Sequence, residues 1–175
     1  MTTITTKTTD KVELKAVKHF EAMSEETQCF TANIYLNGKK VCFVKNEGHG
    51  GCNFYDYTFK DKKTGEWTRD RECEQSLDQW ADSHHISYEM DGEICEVTGE
   101  YSSKLDWLID DMLEKALELK DLKRWCRTKT VFQVEGQNDG SWTIIDAPYD
   151  QRMKDHLAVK YPTISRLANE EILKR

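Results

Sequence analysis

The dipeptide Asn37-Gly38 constrains this chain more than any other pair of residues. It stands between two runs of alternating character in CFTANIYLNGKKVCFVKN. A type I′ turn needs φ > 0 at both central residues, and Asn-Gly meets that need at little steric cost, so a two-residue hairpin is predicted. Such a turn fixes a register in which Leu36 opposes Lys39, Ile34 opposes Val41, Ala32 opposes Phe43 and Phe30 opposes Lys45. Side chains alternate with a period of two, so Phe30, Ala32, Ile34, Leu36, Val41 and Phe43 are assigned to the core face. Cys29, Thr31, Asn33, Tyr35, Lys40, Cys42 and Val44 fall on the opposite one.

The rest of the chain builds outward from this hairpin. VELKAVKHF reads as a strand with Val12, Leu14, Ala16 and Phe20 on one face, CNFYDYTF as one further antiparallel strand, and KDKKTG as a charged turn. From Glu66 to about Ser83, Cys73, Leu77, Trp80 and Ala81 recur at helical spacing. Asp91-Gly92 predicts a second hairpin, with Ile86, Tyr88 and Met90 sharing a face with Glu93, Cys95 and Val97. SSKLDWLIDDMLEKALELKDLKRWCR is the clearest helix. Ser103 can cap it, with Asp106 in the capping-box position, and Leu105, Leu108, Ile109, Met112, Leu113, Ala116 and Leu119 form its apolar stripe. TVFQV and SWTII flank GQNDG as a third hairpin; a helix is expected to run from Pro148 to Pro162, and TISRLANEEILKR to add a last short one. The fold class expected is α+β: a mostly antiparallel, meandering sheet built from hairpins and packed against two longer and one or two short helices, in one domain over residues 1–175.

A chain of 175 residues with five Trp, seven Tyr and six Phe can bury a substantial core without disulfides or metals. Six cysteines stand ten or more residues apart, with no CxxC among them, so six thiols are expected, most of them packed as small apolar groups. No apolar run reaches the roughly 18 residues of a membrane span, and the threonine-rich start lacks a signal-peptide core. A soluble cytoplasmic protein is the expectation. The net charge of −7 is concentrated: between Glu66 and Asp121 there are 17 acids and five bases, net −12, which leaves +5 for the remainder. A field of that sign disfavours nonspecific nucleic-acid binding, so none is expected, and favours a partner with a basic surface.

Two features carry candidate chemistry. The segment NEGHGGCN, with Asn46, Gly48, His49, Gly50, Gly51, Cys52 and Asn53, is a candidate ligand-binding loop, because glycines allow successive amides to converge on an anion. It leads from strand to strand, whereas phosphate loops lead into a helix. The same loop offers His49 and Cys52 as two zinc ligands, which His84, His85 or Cys29 would have to complete, or as a Cys/His nucleophilic pair. The structural alternative is a tight connection with His49 exposed and Cys52 buried. The second feature is a ladder of acids, Asp106, Asp110, Glu114 and Glu118, with Asp111 beside it, which stacks like charge along one helix face at roughly 0.2–0.5 kcal/mol per pair. A solvated face or a docking surface for a basic partner would account for it. No cofactor is expected, the identity of any metal is open, and the aromatic content allows a homodimer.

SEETQCFTANIYLNGKKVCFVKNEGHGGCNFY, LKRWCRTKTVFQV and APYDQRMKDHLAVKYP together resemble a family of small proteins of uncharacterised function encoded by tailed phages and prophages. The resemblance implies a viral protein at work in a bacterial cytoplasm. Its first expectation is a non-enzymatic binder that inhibits or modulates a host protein or defence system; the alternatives are a nucleotide- or metal-sequestering protein using the loop 46–53, and a Cys/His enzyme.

Overall fold

The computed structural model describes residues 2–99, 103–136 and 141–173. Twelve strands in four antiparallel sheets and four helices are described, so the fold is α+β as expected. The chain gathers into two compact units, one ending at Leu113 and the other starting at Glu114.

The first unit contains β1 (Thr2–Thr6), β2 (Val12–His19), β3 (Phe30–Leu36), β4 (Lys39–Asn46), β5 (Phe54–Asp56), β6 (Thr58–Lys60), β7 (Trp67–Arg69), α1 (Arg71–Asp82), β8 (His84–Met90) and β9 (Glu93–Glu96). It also holds the first half of α2 (Lys104–Trp125), inside which the boundary between the units falls. Strands β2-β3-β4-β5 form a four-stranded sheet in chain order; β1-β8-β9 form a three-stranded sheet and β6-β7 a separate ribbon. The threonine-rich start is therefore a strand, which no hydrophobic alternation announced: β-branched residues suit a pleated surface, and Ile4 pairs with the buried Ile86.

Asn37 (φ 50°) and Gly38 (φ 81°) make the expected turn, and Asp91 (φ 53°) and Gly92 (φ 83°) make the second. The second hairpin keeps its predicted register, Met90 to Glu93 and Tyr88 to Cys95. The first does not. Leu36 pairs with Lys39 and Tyr35 with Lys40, but Ile34 then pairs with Cys42, Asn33 with Phe43, Ala32 with Val44 and Phe30 with Asn46. Val41 is an extra residue, a β-bulge, and it turns every later side chain of β4 to the other face. Val41 and Cys42 are both buried at the bulge, Val44 and Asn46 follow them inward, and Phe43 and Lys45 face out. A second bulge sits in β2, where Lys15 pairs with Asn33 and Lys18 with Thr31. Ala16 adopts φ 54° there and is exposed, as is Phe20, so the predicted face of β2 holds only for Val12 and Leu14.

Two further boundaries moved for local reasons. The expected single strand CNFYDYTF breaks at Tyr57, because the Asp56 carboxylate accepts the Thr58 amide (2.8 Å) and hydroxyl (2.6 Å) and turns the chain into the β6-β7 ribbon. Residues 67–69, read as helix, pair with β6 instead. α1 starts after Asp70, whose side chain caps the Cys73 amide at 3.0 Å, and it buries Cys73, Leu77, Trp80 and Ala81 as predicted.

The second unit contains the rest of α2 with β10 (Thr130–Val134), β11 (Thr143–Ile145), α3 (Gln151–Lys160), β12 (Ile164–Leu167) and α4 (Ala168–Leu173). β10 is flanked by β11 and β12, so residues 164–167, expected to be helical, form a strand; residues 137–140 of the third hairpin's loop lie outside the described residues. α3 begins at Gln151, capped by Asp150 on the Met153 amide at 2.8 Å, three residues after Pro148. Leu122, Cys126, Val131 and Ala168 form its core, with Trp125, Trp142 and Ile172 packed on them. Leu122 takes the place in the buried stripe that the periodicity gave to Leu119, which is 44% exposed. Asn169, 1% exposed, accepts the Val131 amide at 2.8 Å and donates to the carbonyls of Lys129 (2.8 Å) and Cys126 (3.3 Å). Each of these would otherwise be an orphan at about 1–3 kcal/mol.

No helix among the described residues is long and apolar enough to cross a membrane. All six cysteines are free: Cys29, Cys42, Cys73 and Cys126 are buried, Cys95 is half-buried and Cys52 is exposed.

The bulge makes a direct prediction. Val44→Thr puts a hydroxyl into a dry core and should cost about 1–3 kcal/mol, whereas Phe43→Thr should cost less than about 1 kcal/mol, as surface changes do. Urea unfolding of the two variants measures this, and the reverse order would restore the unbulged register.

Candidate functional site

The glycine-rich loop begins where the bulge aims Asn46 inward. Asn46 is 8% exposed, and both ends of its amide are used. Its Oδ1 accepts the Thr27 hydroxyl (2.8 Å) and the Gly48 amide (2.9 Å); its Nδ2 donates to the Gly51 carbonyl (3.3 Å) and to Asn53 Oδ1 (3.1 Å). Asn53, equally buried, passes the chain on by donating to Asp110 Oδ1 at 2.9 Å. The Gly50 amide donates to Thr27 Oγ1 at 3.3 Å. Successive amides do converge here, but they belong to the facing segment: Glu25, Glu26 and Thr27 donate to the carbonyl of Gly48 at 3.0, 3.0 and 3.4 Å. The loop supplies the acceptor of that nest.

Gly48 has a steric reason to be glycine. At φ +87°, a Cβ would lie 2.1 Å from the Met23 carbonyl oxygen and 2.8 Å from Cys29 Cβ. Gly51, at φ +88°, has open space around it. His49 is exposed, and its Nδ1 lies 3.1 Å from Glu25 Oε2. Cys52 is exposed, where the structural alternative had it buried. Among the described residues no group of three or more His, Cys, Asp or Glu side chains gathers in a way that could hold a metal ion.

The acid ladder is less solvated than its sequence suggests. In the first unit, Asp106 Oδ1 accepts the Tyr55 hydroxyl at 2.6 Å, so the residue expected to close a capping box is engaged with the sheet. Ser103 does cap, accepting the Leu105 amide at 3.2 Å. Asp110 holds Asn53. Burial raises the Asp110 pKa from its ordinary value, the Asn53 bond opposes that, and the Asp106 charge adds to it. Burial and the Asp106 carboxylate likewise push the Tyr55 phenol up, so it stays a donor. In the second unit, Glu118 accepts the Trp142 indole N–H at 2.6 Å. Asp111 is half-buried and Glu114 exposed. The like-charge cost of the ladder is offset by these neutral donors.

A third surface is the polar face of the sheet, where alternation places Thr31, Asn33, Tyr35 and Lys40 and where the bulge puts Phe43 and Lys45 in place of Cys42 and Val44. The inner face of the four-stranded sheet carries Ala32, Val44 and Tyr55 in register, with Tyr55 reaching α2. The outer face reads, in three rows across the strands, Glu13-Tyr35-Lys40, Lys15-Asn33-Phe43-Asp56 and Lys18-Thr31-Lys45-Phe54. Tyr35, Phe43 and Phe54 thus run diagonally over β3, β4 and β5, where diagonal neighbours are about 7 Å apart. Phe54 is 57% exposed. The Lys15 ammonium sits 4.5 Å from the Tyr35 ring centre, and that of Lys45 5.4 Å from Phe54. Of the acids, Glu13 is bonded to Lys11 and Lys15 at 3.0 and 3.6 Å. Asp56 is held below its usual range by Thr58, then by the charges of Lys40 and Arg69. The one signal of the bulge in the sequence is that VCFV places apolar residues on both faces of β4.

Two outcomes check the polar chain. Asp110→Asn keeps an acceptor for Asn53 and removes a carboxylate that burial disfavours. Because the folded pKa is raised, Asp110 supports folding below its unfolded pKa of about 3.9 and loses that support as pH rises through the folded value. The variant should therefore gain stability relative to wild type between pH 3.5 and pH 7, while Asp110→Ala, which orphans Asn53, should lose about 1–3 kcal/mol; parallel urea titrations at the two pH values read both. Gly51→Ala should cost about 1 kcal/mol for its φ alone, and Gly48→Ala clearly more, since backbone must move. Equal thermal shifts would show that the joint with Met23 and Cys29 is loose.

Comparison with protein-family models, with curated proteins and with solved structures finds no match for this chain.

Proposed function

We propose that the protein is a binding protein whose recognition surface is the outer face of the four-stranded sheet, and that its partner is negatively charged. The carrying observation is the aromatic diagonal Tyr35-Phe43-Phe54 with lysines on both sides of it. A half-exposed phenyl ring beside ammonium groups costs solvation energy as a bare surface and repays it when a partner covers the ring and pairs the charge. Four lysines, Lys15, Lys18, Lys40 and Lys45, face two acids in the three rows. The ion pairs that Lys15 and Lys45 make with Glu13 and Glu47 are solvent-exposed and worth about 0–1 kcal/mol, so an incoming anion can replace them.

This reading moves the expected interface away from the acid ladder. Asp106, Asp110 and Glu118 accept hydrogen bonds within their own units, which weakens the case for them as a docking face for a basic partner. It also moves emphasis from the glycine loop, whose Gly48 and Gly50 amides serve the loop's own closure. The resemblance to phage-encoded proteins makes a component of the host cell the expected class of partner.

Heparin serves as a generic polyanion for the test. At neutral pH and low salt the protein should be retained on a heparin column despite its net charge of −7, and Lys40→Glu with Lys45→Glu should move it to the flow-through. Lys123→Glu, far along α2, should leave retention unchanged. Retention that survives the first pair and is lost with the second variant would assign binding to another surface.

A further inference from the structure

Resting on that reading, we infer that the partner is a single-stranded nucleic acid, stacked base by base along Tyr35, Phe43 and Phe54 with its phosphates on the flanking lysines. The three rings lie on three adjacent strands, each displaced by one row from the last, so they form a line rather than a cluster. A line of separated rings across one sheet face suits a chain of unpaired bases, each of which offers a π-face, and it is of no use to a duplex, whose bases are already stacked. The lysines are placed to match. Lys18 and Lys45 share the row of Phe54, Lys15 shares that of Phe43, and Lys40 pairs with Tyr35, so an ammonium group accompanies each step. Between them Asn33 and Thr31 present amide and hydroxyl groups that can bond base edges in either direction.

A protein partner with an acidic patch would satisfy the lysines and could cover the rings, but the regular displacement of Tyr35, Phe43 and Phe54 by one row per strand matches a string of bases. The overall charge of −7 weighs against indiscriminate binding by the whole chain, and it is compatible with a short, local, cationic track: the acid block spans residues 66–121, and every residue of the three rows precedes it. The two bulges create the track. Without the one at Val41, Phe43 and Lys45 would point inward, and without the one at Ala16, Lys18 would leave the row it shares with Thr31.

Fluorescence anisotropy of a labelled short oligothymidylate, beside a duplex of the same length, tests this. The expected result is preference for the single strand, with a slope of log affinity on log salt of about −2 to −3, at about −0.7 per phosphate contacted. Phe54→Ala should weaken binding about tenfold, as should Tyr35→Ala, while Phe54→Trp should retain it. Phe54 is 57% exposed, so its variants should keep the wild-type circular dichroism and melting temperature. Equal affinity for duplex and single strand, with no loss in Phe54→Ala, would overturn the inference and leave a plain polyanion surface. Heparin retention without oligonucleotide binding would overturn it in favour of a protein partner. Concentration-dependent self-association abolished by Phe54→Ala would overturn it in favour of a second copy on this face. Absence of both heparin and oligonucleotide binding would remove the proposed function as well.

Discussion

One extra residue in a strand decides most of what this molecule presents to the world. Val41 sits in β4 without a partner of its own, and from that point the pleat runs in opposite phase. The core gains Cys42 and Val44, both at 0% exposure, in place of Phe43. The Cys42 thiol is buried deeply enough to be pushed up to about 12, which marks it as packing rather than chemistry. The surface gains Phe43 and Lys45, and the end of the strand gains an inward Asn46. Core, outer face and loop anchor all follow from one change of phase.

The inward Asn46 then explains why a run as unusual as NEGHGGCN is needed. A buried amide must satisfy four hydrogen-bonding positions, and the loop folds around it until all four are filled. Gly48 brings its carbonyl within reach of three amides of the facing segment, at a distance that no side chain allows. Asn53 and Tyr55 extend the same network to Asp110 and Asp106 of α2, so the first two acids of the ladder and the glycine loop, separate features in the sequence, become two ends of one polar system. Removing a middle member is therefore costlier than its own bonds suggest, since each neighbour is left buried with a lone donor or acceptor.

Much of the architecture is legible in residues that act locally. Asn37-Gly38 and Asp91-Gly92 specify their turns through backbone conformations that few other pairs tolerate, and the spacing of Cys73, Leu77, Trp80 and Ala81 finds α1 and its C-terminal end, while its start lies at Arg71 rather than Glu66. What is illegible depends on a partner distant in sequence. A strand such as Thr2–Thr6 has no core pattern of its own and exists because β8 receives it. Ile164–Leu167 reads as helix by composition and is a strand because β10 has a free edge there. The bulges at Val41 and Ala16 are of the same kind: each answers a packing demand from the far side of the sheet, and each changes which residues of β4 and β2 complete the outer face, so that Phe43, Lys45 and Lys18 are missed by a reading that assumes unbroken alternation.

The pairing of β1 with β8 has a kinetic meaning. Thr6 meets His84 and Thr2 meets Tyr88, so the first strand of the chain can dock only after some eighty residues have been placed. Closing so long a loop carries an entropic cost that the hairpins, closed by two residues, escape, and contacts of that separation slow folding. During synthesis on the ribosome, β3 and β4 can pair as soon as they emerge, while β1 must wait for α1 and β8 to follow. A strand of four threonines and one isoleucine can wait in water without becoming sticky. Its plain composition is then a provision for the interval between its synthesis and its use.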